Sequence, residues 1–217
     1  MASILVVATP SDLPLTYGYH YLKRFSKYAT LHGHQVFFLE NVNLQTFHEA
    51  IRKHNPQLII MNGHGGRKGL EIAGHVILGV LDYDPELGKK IYSQNPSICA
   101  GRIVILATCN TGKELAFRLI DYGAKAVLAF KEPFIFLSEE NPNPAFDKLA
   151  EPFFISMLQA AIHLVIGKNF GRSCHLTRKA FKYYQDLMEQ KGQDLSAKYL
   201  YWNLENLVCL GQMDAII

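Results

Sequence analysis

The chain has 217 residues, enough to bury a substantial core, and one domain spanning residues 1–217 is expected. Hydrophobic content of 49% and charged content of 19% are ordinary for a compact globular protein. A net charge of +3 with no basic run interleaved with aromatics argues against nucleic acid as a partner.

In chain order, Ser3 to Ala8 reads as a first strand, too short to span a bilayer and without the basic leader of a signal peptide. A helix follows Thr16, over 17–31, with Leu22, Phe25 and Ala29 on its apolar face. Strand 35–39 comes next, then a helix over 44–54 that starts near Asn43, buries Leu44, Phe47 and Ile51, and stops before Asn55-Pro56. Strand 57–62 leads to a hairpin over 70–79, and Asp84-Pro85-Glu86 reads as a helix start with proline at the first helical position. Arg102 to Thr108 is a buried strand, and Thr111-Gly112-Lys113-Glu114 has the form of a capping box opening a further helix.

Strand 125–130 then gives way to a polar, proline-rich loop from Lys131 to Pro144, expected to shape a substrate groove or to be a place of maturation cleavage. Helices follow near 145–166 and 172–190, stopped by Gly167 and Gly192. The apolar stretch Phe153 to Ile166 is broken by Ser156, Gln159 and His163 and is shorter than a membrane span, so a buried helix is expected and no membrane partner. The terminal block with Tyr199, Tyr201 and Trp202 should cover the core. Strands separated by helices imply βαβ units, a mainly parallel sheet and helices on both faces.

Two residues carry chemistry. Cys109 sits between the end of one buried strand and the expected helix start, where free backbone N–H groups and the helix dipole favour thiolate. His64, in Asn62-Gly63-His64-Gly65-Gly66, sits at the end of another buried strand. In open parallel sheets the reactive crevice lies beyond the carboxyl ends of the strands, so the pair reads as a dyad. A nucleophilic cysteine needs a base nearby and donors for the developing oxyanion. The backbone N–H groups of Gly65 and Cys109 are the candidate donors.

These motifs resemble the caspase-like cysteine peptidases, in which His-Gly follows one core strand and Cys the next. Leu106-Ala107-Thr108-Cys109-Asn110-Thr111-Gly112 is most similar to the CHAT and gingipain-like forms, where small residues precede the cysteine and Thr-Gly follows it. The 45-residue interval from His64 to Cys109, the hairpin after the histidine, the paired late helices and Leu207 to Gly211 as a last strand fit the same pattern. The resemblance implies a caspase-like α/β/α sandwich and a cysteine endopeptidase acting through a thioester. Cys109 would be the nucleophile and His64 its partner, with no cofactor. Its partners would be a protein or peptide substrate and a regulatory protein. Relatives with basic specificity carry an acid just before the cysteine, and Ala107 and Thr108 stand there instead, so substrate preference does not carry over.

Asp82, Asp84 and Glu132 fall on loops near the expected active edge. Asp82 and Glu132 are candidates for a substrate pocket, whereas Asp84 reads more simply as a helix cap. His32-Gly33-His34 reads as a helix-to-strand turn, and the histidines show no metal-ligand spacing, so no metal is expected. Cysteines 99, 109, 174 and 209 show neither metal spacing nor a dense disulfide pattern, which points to reduced thiols in a cytoplasmic protein. The alternative function is a catalytically silent domain of the same fold serving as an interaction module. A flavodoxin-like nucleotide binder lacks a phosphate loop, and a creatininase-type metal amidase lacks its other ligands.

Overall fold

The chain runs β1 (Ser3–Ala8), α1 (Leu13–Leu31), β2 (Gln35–Leu39), α2 (Leu44–His54), β3 (Leu58–Asn62), β4 (His64–Gly65), β5 (Gly69–Ile72), β6 (His75–Gly79), β7 (Asp82–Asp84) and β8 (Lys89–Ile91). After a 3-10 turn at Pro96–Cys99 come β9 (Ile103–Ala107), α3 (Leu115–Asp121), β10 (Ala126–Phe130), α4 (Glu151–Val165), α5 (Phe170–Gln190), α6 (Asp194–Asn206) and β11 (Leu207–Gly211). The computed structural model describes residues 1–80, 82–84, 87–91, 96–140 and 143–217, strands β7 and β8 as backbone alone.

Six strands form the central sheet in the order β11-β10-β9-β3-β1-β2, parallel except for β11, which runs antiparallel to β10. The continuous apolar runs of β3, β9 and β10 follow from burial on both faces. Successive side chains divide between two cores. Ile4, Val6, Leu58, Ile60, Ile103, Ile105 and Leu128 face one core, completed by α1, α4, α5 and α6. Leu5, Val7, Ile59, Met61, Val104, Leu106 and Val127 face the other, closed by α2, α3 and the β5–β6 hairpin. At about 1.5–3 kcal/mol per fully buried large apolar side chain, these two layers are the main drive to fold.

The elements depart from the sequence expectations in several places. Helix α1 starts at Leu13, capped by Asp12, whose side chain accepts from the Leu15 N–H at 2.9 Å, with Pro14 in the first turn. The capping box at Thr111 does not form: residues 111–114 are turns and α3 begins at Leu115, because Thr111 is drawn back onto Thr108 (Oγ1 to Oγ1, 2.8 Å). No helix starts at Asp84, since Asp82–Asp84 pairs antiparallel with Lys89–Ile91; Pro85 and Glu86 lie outside the described residues. The helix expected from 145 begins at Glu151, after turns that a buried Asp147 organises, and the next begins at Phe170, capped by Asn169.

The thiols are not all reduced. Cys174 on α5 and Cys209 on β11 form a disulfide with a Cα–Cα distance of 6.5 Å. Linear spacing hid this pair, because packing of α5 over the sheet edge brings together residues 35 apart. No helix among the described residues is long and apolar enough to cross a membrane.

The terminal block is helix α6, and it fixes the loop after β10. Fully buried Asn203 donates from Nδ2 to the Ile135 carbonyl at 2.7 Å and accepts the Ile135 N–H at 3.0 Å. Trp202 Nε1 donates to the Pro133 carbonyl at 2.9 Å, and the Lys131 N–H donates to the Asn206 carbonyl at 2.9 Å. Residues 131–137 thus run along the C-terminal end of the sheet as a held segment.

Candidate active site

Strand register sets the site. Ala8 of β1 lies opposite Asn62 of β3, and Asn62 lies opposite Ala107 of β9, so three parallel strands end level. Asp12, His64 and Cys109 follow four, two and two residues beyond that row. The sheet therefore brings together the histidine and the cysteine singled out in the sequence, and adds an aspartate that was not.

His64 Nε2 is 2.6 Å from Asp12 Oδ2, while the other carboxylate oxygen of Asp12 caps α1. The imidazole and the carboxylate are 52% and 38% exposed, so the pair orients more than it stabilises. An acid accepting at Nε2 places the ring proton there and leaves the Nδ1 lone pair as the basic site. The signal for Asp12 was present, since Ser11-Asp12-Leu13-Pro14 is a capping residue followed by proline in the first turn. Expecting the helix only after Thr16 placed Asp12 in a loop.

The backbone at Cys109 is folded tightly. Asn110 adopts a left-handed conformation (φ 59°), tolerated by asparagine, and the Thr111 N–H returns to the Cys109 carbonyl at 2.7 Å. The Gly112 N–H donates to the Phe130 carbonyl at 2.8 Å, so close that a Cβ on Gly112 would lie within 3 Å of that peptide. Gly65 is needed for a similar reason: a Cβ there would stand 2.0 Å from the Cys109 carbonyl oxygen and 2.8 Å from Thr111 Cγ2. The His-Gly and Cys motifs thus meet backbone to backbone.

Burial pushes the Cys109 thiol above the ordinary range, and a hydrogen bond from the Phe134 backbone pulls weakly the other way. This reverses the expectation of a stabilised thiolate. With α3 starting six residues later and only seven residues long, its N-terminus is not at Cys109, and half-burial among apolar side chains decides the direction. Cys99 is fully buried and its thiol is pushed up to about 12.

Cys109 and His64 line one cavity of about 70 Å³, together with Pro14, Leu15, Asn62, Ala107, Phe134 and Met157 among others. Glu132, expected near a pocket, does not line it; its carboxylate pairs with Lys113 at 3.3 Å. Asp82 is in β7, and its side chain lies outside the described residues. Among the described residues no group of three or more His, Cys, Asp or Glu could hold a metal ion.

No protein-family model and no curated protein matches the sequence. Among solved structures, the crystal structure of the Arg-specific cysteine proteinase gingipain R is similar, with a TM-score of 0.62 and 12% identity. The likeness covers 99% of this chain, which spans 47% of that one. At that identity it shows the fold, a caspase-like α/β/α arrangement around a mostly parallel sheet.

Proposed function

We propose that the chain is a cysteine endopeptidase of the caspase-like group, with Cys109 as nucleophile, His64 as base and acid, and Asp12 holding the imidazole. The observation that carries this reading is the ordered contact Asp12–His64 beside a cavity that His64 shares with Cys109, at the level ends of parallel strands. Because burial keeps the thiol protonated, the proton leaves for His64 Nδ1 as the sulfur attacks the peptide carbonyl. The backbone N–H groups of Gly65 and Cys109 receive the oxyanion. As the C–N bond breaks, His64 returns the proton to the departing amine, and water then hydrolyses the thioester. The substrate is a protein or peptide, and a regulatory protein is a second partner. Likeness to the CHAT form rests on the residues around Cys109, and the gingipain neighbour supports the same reaction class.

The rival is a catalytically silent domain serving as an interaction module, and the raised thiol is the observation on its side. Cleavage of a mixed-sequence fluorogenic peptide library by wild type, His64→Ala and Cys109→Ala separates them. Loss of about 10²–10⁴-fold in His64→Ala and complete loss in Cys109→Ala supports the peptidase. No cleavage by wild type, or equal cleavage by all three, supports the module.

A further inference from the structure

The cavity beside Cys109 is built to be selective. Its walls are the side chains of Leu15, Phe134, Phe136, Phe154 and Met157 with the ring of Pro14, and among the described residues no Asp, Glu, Lys or Arg lines it. Apart from His64 and Cys109 themselves, its polar side chains are engaged: Asn62 Nδ2 donates to the Leu15 carbonyl at 3.0 Å, and Thr108 Oγ1 pairs with Thr111 Oγ1 at 2.8 Å. Ala107, the second residue before the nucleophile, adds only a methyl group to the lining.

The walls also resist widening. Phe154 stacks on Tyr21 with ring centres 5.0 Å apart and meets Phe136 edge-on at 4.8 Å and Phe134 at 5.7 Å. Phe134 and Phe136 flank Ile135, which Asn203 grips from both sides. The cavity of about 70 Å³ is about half the roughly 150 Å³ of an engineered apolar cavity that takes up benzene, room for about three carbon atoms.

The side chain of the residue whose carbonyl is attacked begins two bonds from the attacked carbon. It must therefore enter space bordered by both the sulfur and the imidazole, and this cavity is bordered by both. We infer that the cavity receives that side chain and selects a small apolar residue, between alanine and valine in size, over arginine, lysine and acidic residues. A guanidinium or carboxylate placed there would lose water and meet no Asp, Glu, Lys or Arg among the described residues. The inference rests on the peptidase reading and names its substrate class, one that differs from the arginine in the gingipain neighbour's description.

Peptide acyloxymethyl ketones that differ only in the residue bearing the ketone test it: Ala, Val, Leu, Asp and Arg. The thiol displaces the acyloxy group, a C–S bond forming at the methylene as the C–O bond breaks and a carboxylate leaves. Labelling of Cys109 therefore reports recognition without turnover. The Ala and Val probes are expected to label at least about 10-fold faster than Leu, the range that one or two methylenes command in an apolar pocket. They should label faster still than Asp or Arg. In Met157→Ala, which enlarges the cavity, the fastest probe should become Leu. An Arg or Asp probe that labels fastest overturns the inference and leaves the peptidase standing. Silence of all five probes, with iodoacetamide still reaching Cys109, overturns both. If Met157→Ala does not fold, the wild-type order alone decides; if it folds and the order stays as in wild type, the cavity is not the specificity site.

Discussion

Asp12 Oδ2 lies 2.6 Å from His64 Nε2 while Asp12 Oδ1 accepts the Leu15 N–H at 2.9 Å, so one carboxylate ties the start of α1 to the imidazole. The two tasks separate by substitution. Asparagine is as good a helix cap as aspartate. With its oxygen kept on Leu15, however, it turns an N–H toward His64 and forces the proton onto Nδ1. Asp12→Asn should therefore keep its thermal midpoint and lose peptide turnover, by between about 10-fold and the roughly 10⁴-fold known for the buried acid of a serine-protease triad. Asp12→Ala should lose turnover and also about 1 kcal/mol of stability with the cap. Full turnover in Asp12→Asn would reduce Asp12 to a helix cap.

Gly65 marks where the two motifs touch. A methyl at this position would stand 2.0 Å from the Cys109 carbonyl oxygen, and that oxygen belongs to a peptide already bonded to the Thr111 N–H, so it cannot move aside cheaply. Gly65→Ala should cost about 1–3 kcal/mol, as overpacking does elsewhere, and should displace Cys109 from its position beside His64. Denaturant unfolding and iodoacetamide labelling check the two halves. Unchanged stability and labelling would mean that β4 does not press on the Cys109 turn.

The frame was legible because burial on both faces writes itself as apolar runs. Leu58–Ile60, Ile103–Ala107 and Ala126–Phe130 could be nothing but central strands, and their ends located His64 and Cys109. Asn43, whose capping box with Thr46 is local, located α2 to the residue. What the sequence did not disclose depends on tertiary competition. Thr111 has the pattern of a cap, but its hydroxyl is taken by Thr108, just past the end of β9. Asp84 has the pattern of a helix start, yet the segment pairs with Lys89–Ile91. Cys174 and Cys209 meet only because α5 crosses to the edge strand. Asn203 gives no local hint that it grips Ile135, 68 residues away.

The thiol itself makes a prediction about pH. Thiolate forms above the folded pKa, and burial raises that pKa above the ordinary thiol value of about 8.5. Iodoacetamide labelling of Cys109 should therefore climb with pH through the alkaline range, without the plateau near neutrality that a preformed thiolate–imidazolium pair would give. Cys99 should stay unlabelled in the native protein, being fully buried with its pKa near 12. The disulfide should protect Cys174 and Cys209. Mass spectrometry should find one modified cysteine, and a pH-independent rate from mildly acid pH upward would show that His64 already holds the proton in the free protein.

Asp147 anchors the segment that walls the cavity. It is 2% exposed, accepts the Tyr17 hydroxyl, and takes backbone N–H groups from Glu139 (3.1 Å), Leu149 (3.0 Å) and Ala150 (2.9 Å). Burial alone would raise its pKa, but the Tyr17 hydroxyl and these N–H groups outweigh that and hold it below the ordinary value. A carboxyl whose pKa is lowered on folding adds stability that is fully present above its unfolded value, about 3.9, and is lost as pH falls through the folded value. Asp147→Asn should thus be less stable than wild type at neutral pH, by about 1.5–3 kcal/mol, the usual worth of a hydrogen bond to a charged group. That gap should close as both proteins are taken below about pH 4. Tyr17 is the link to the cavity, because it packs on Phe136 and Phe154 at 5.0 and 5.7 Å, so the variant should also label more slowly with peptide ketones at neutral pH. Thermal midpoints of the two proteins from pH 3 to 7 check the first part. A stability gap that stays constant over that range would mean the carboxylate charge contributes nothing and that Asp147 acts through shape alone.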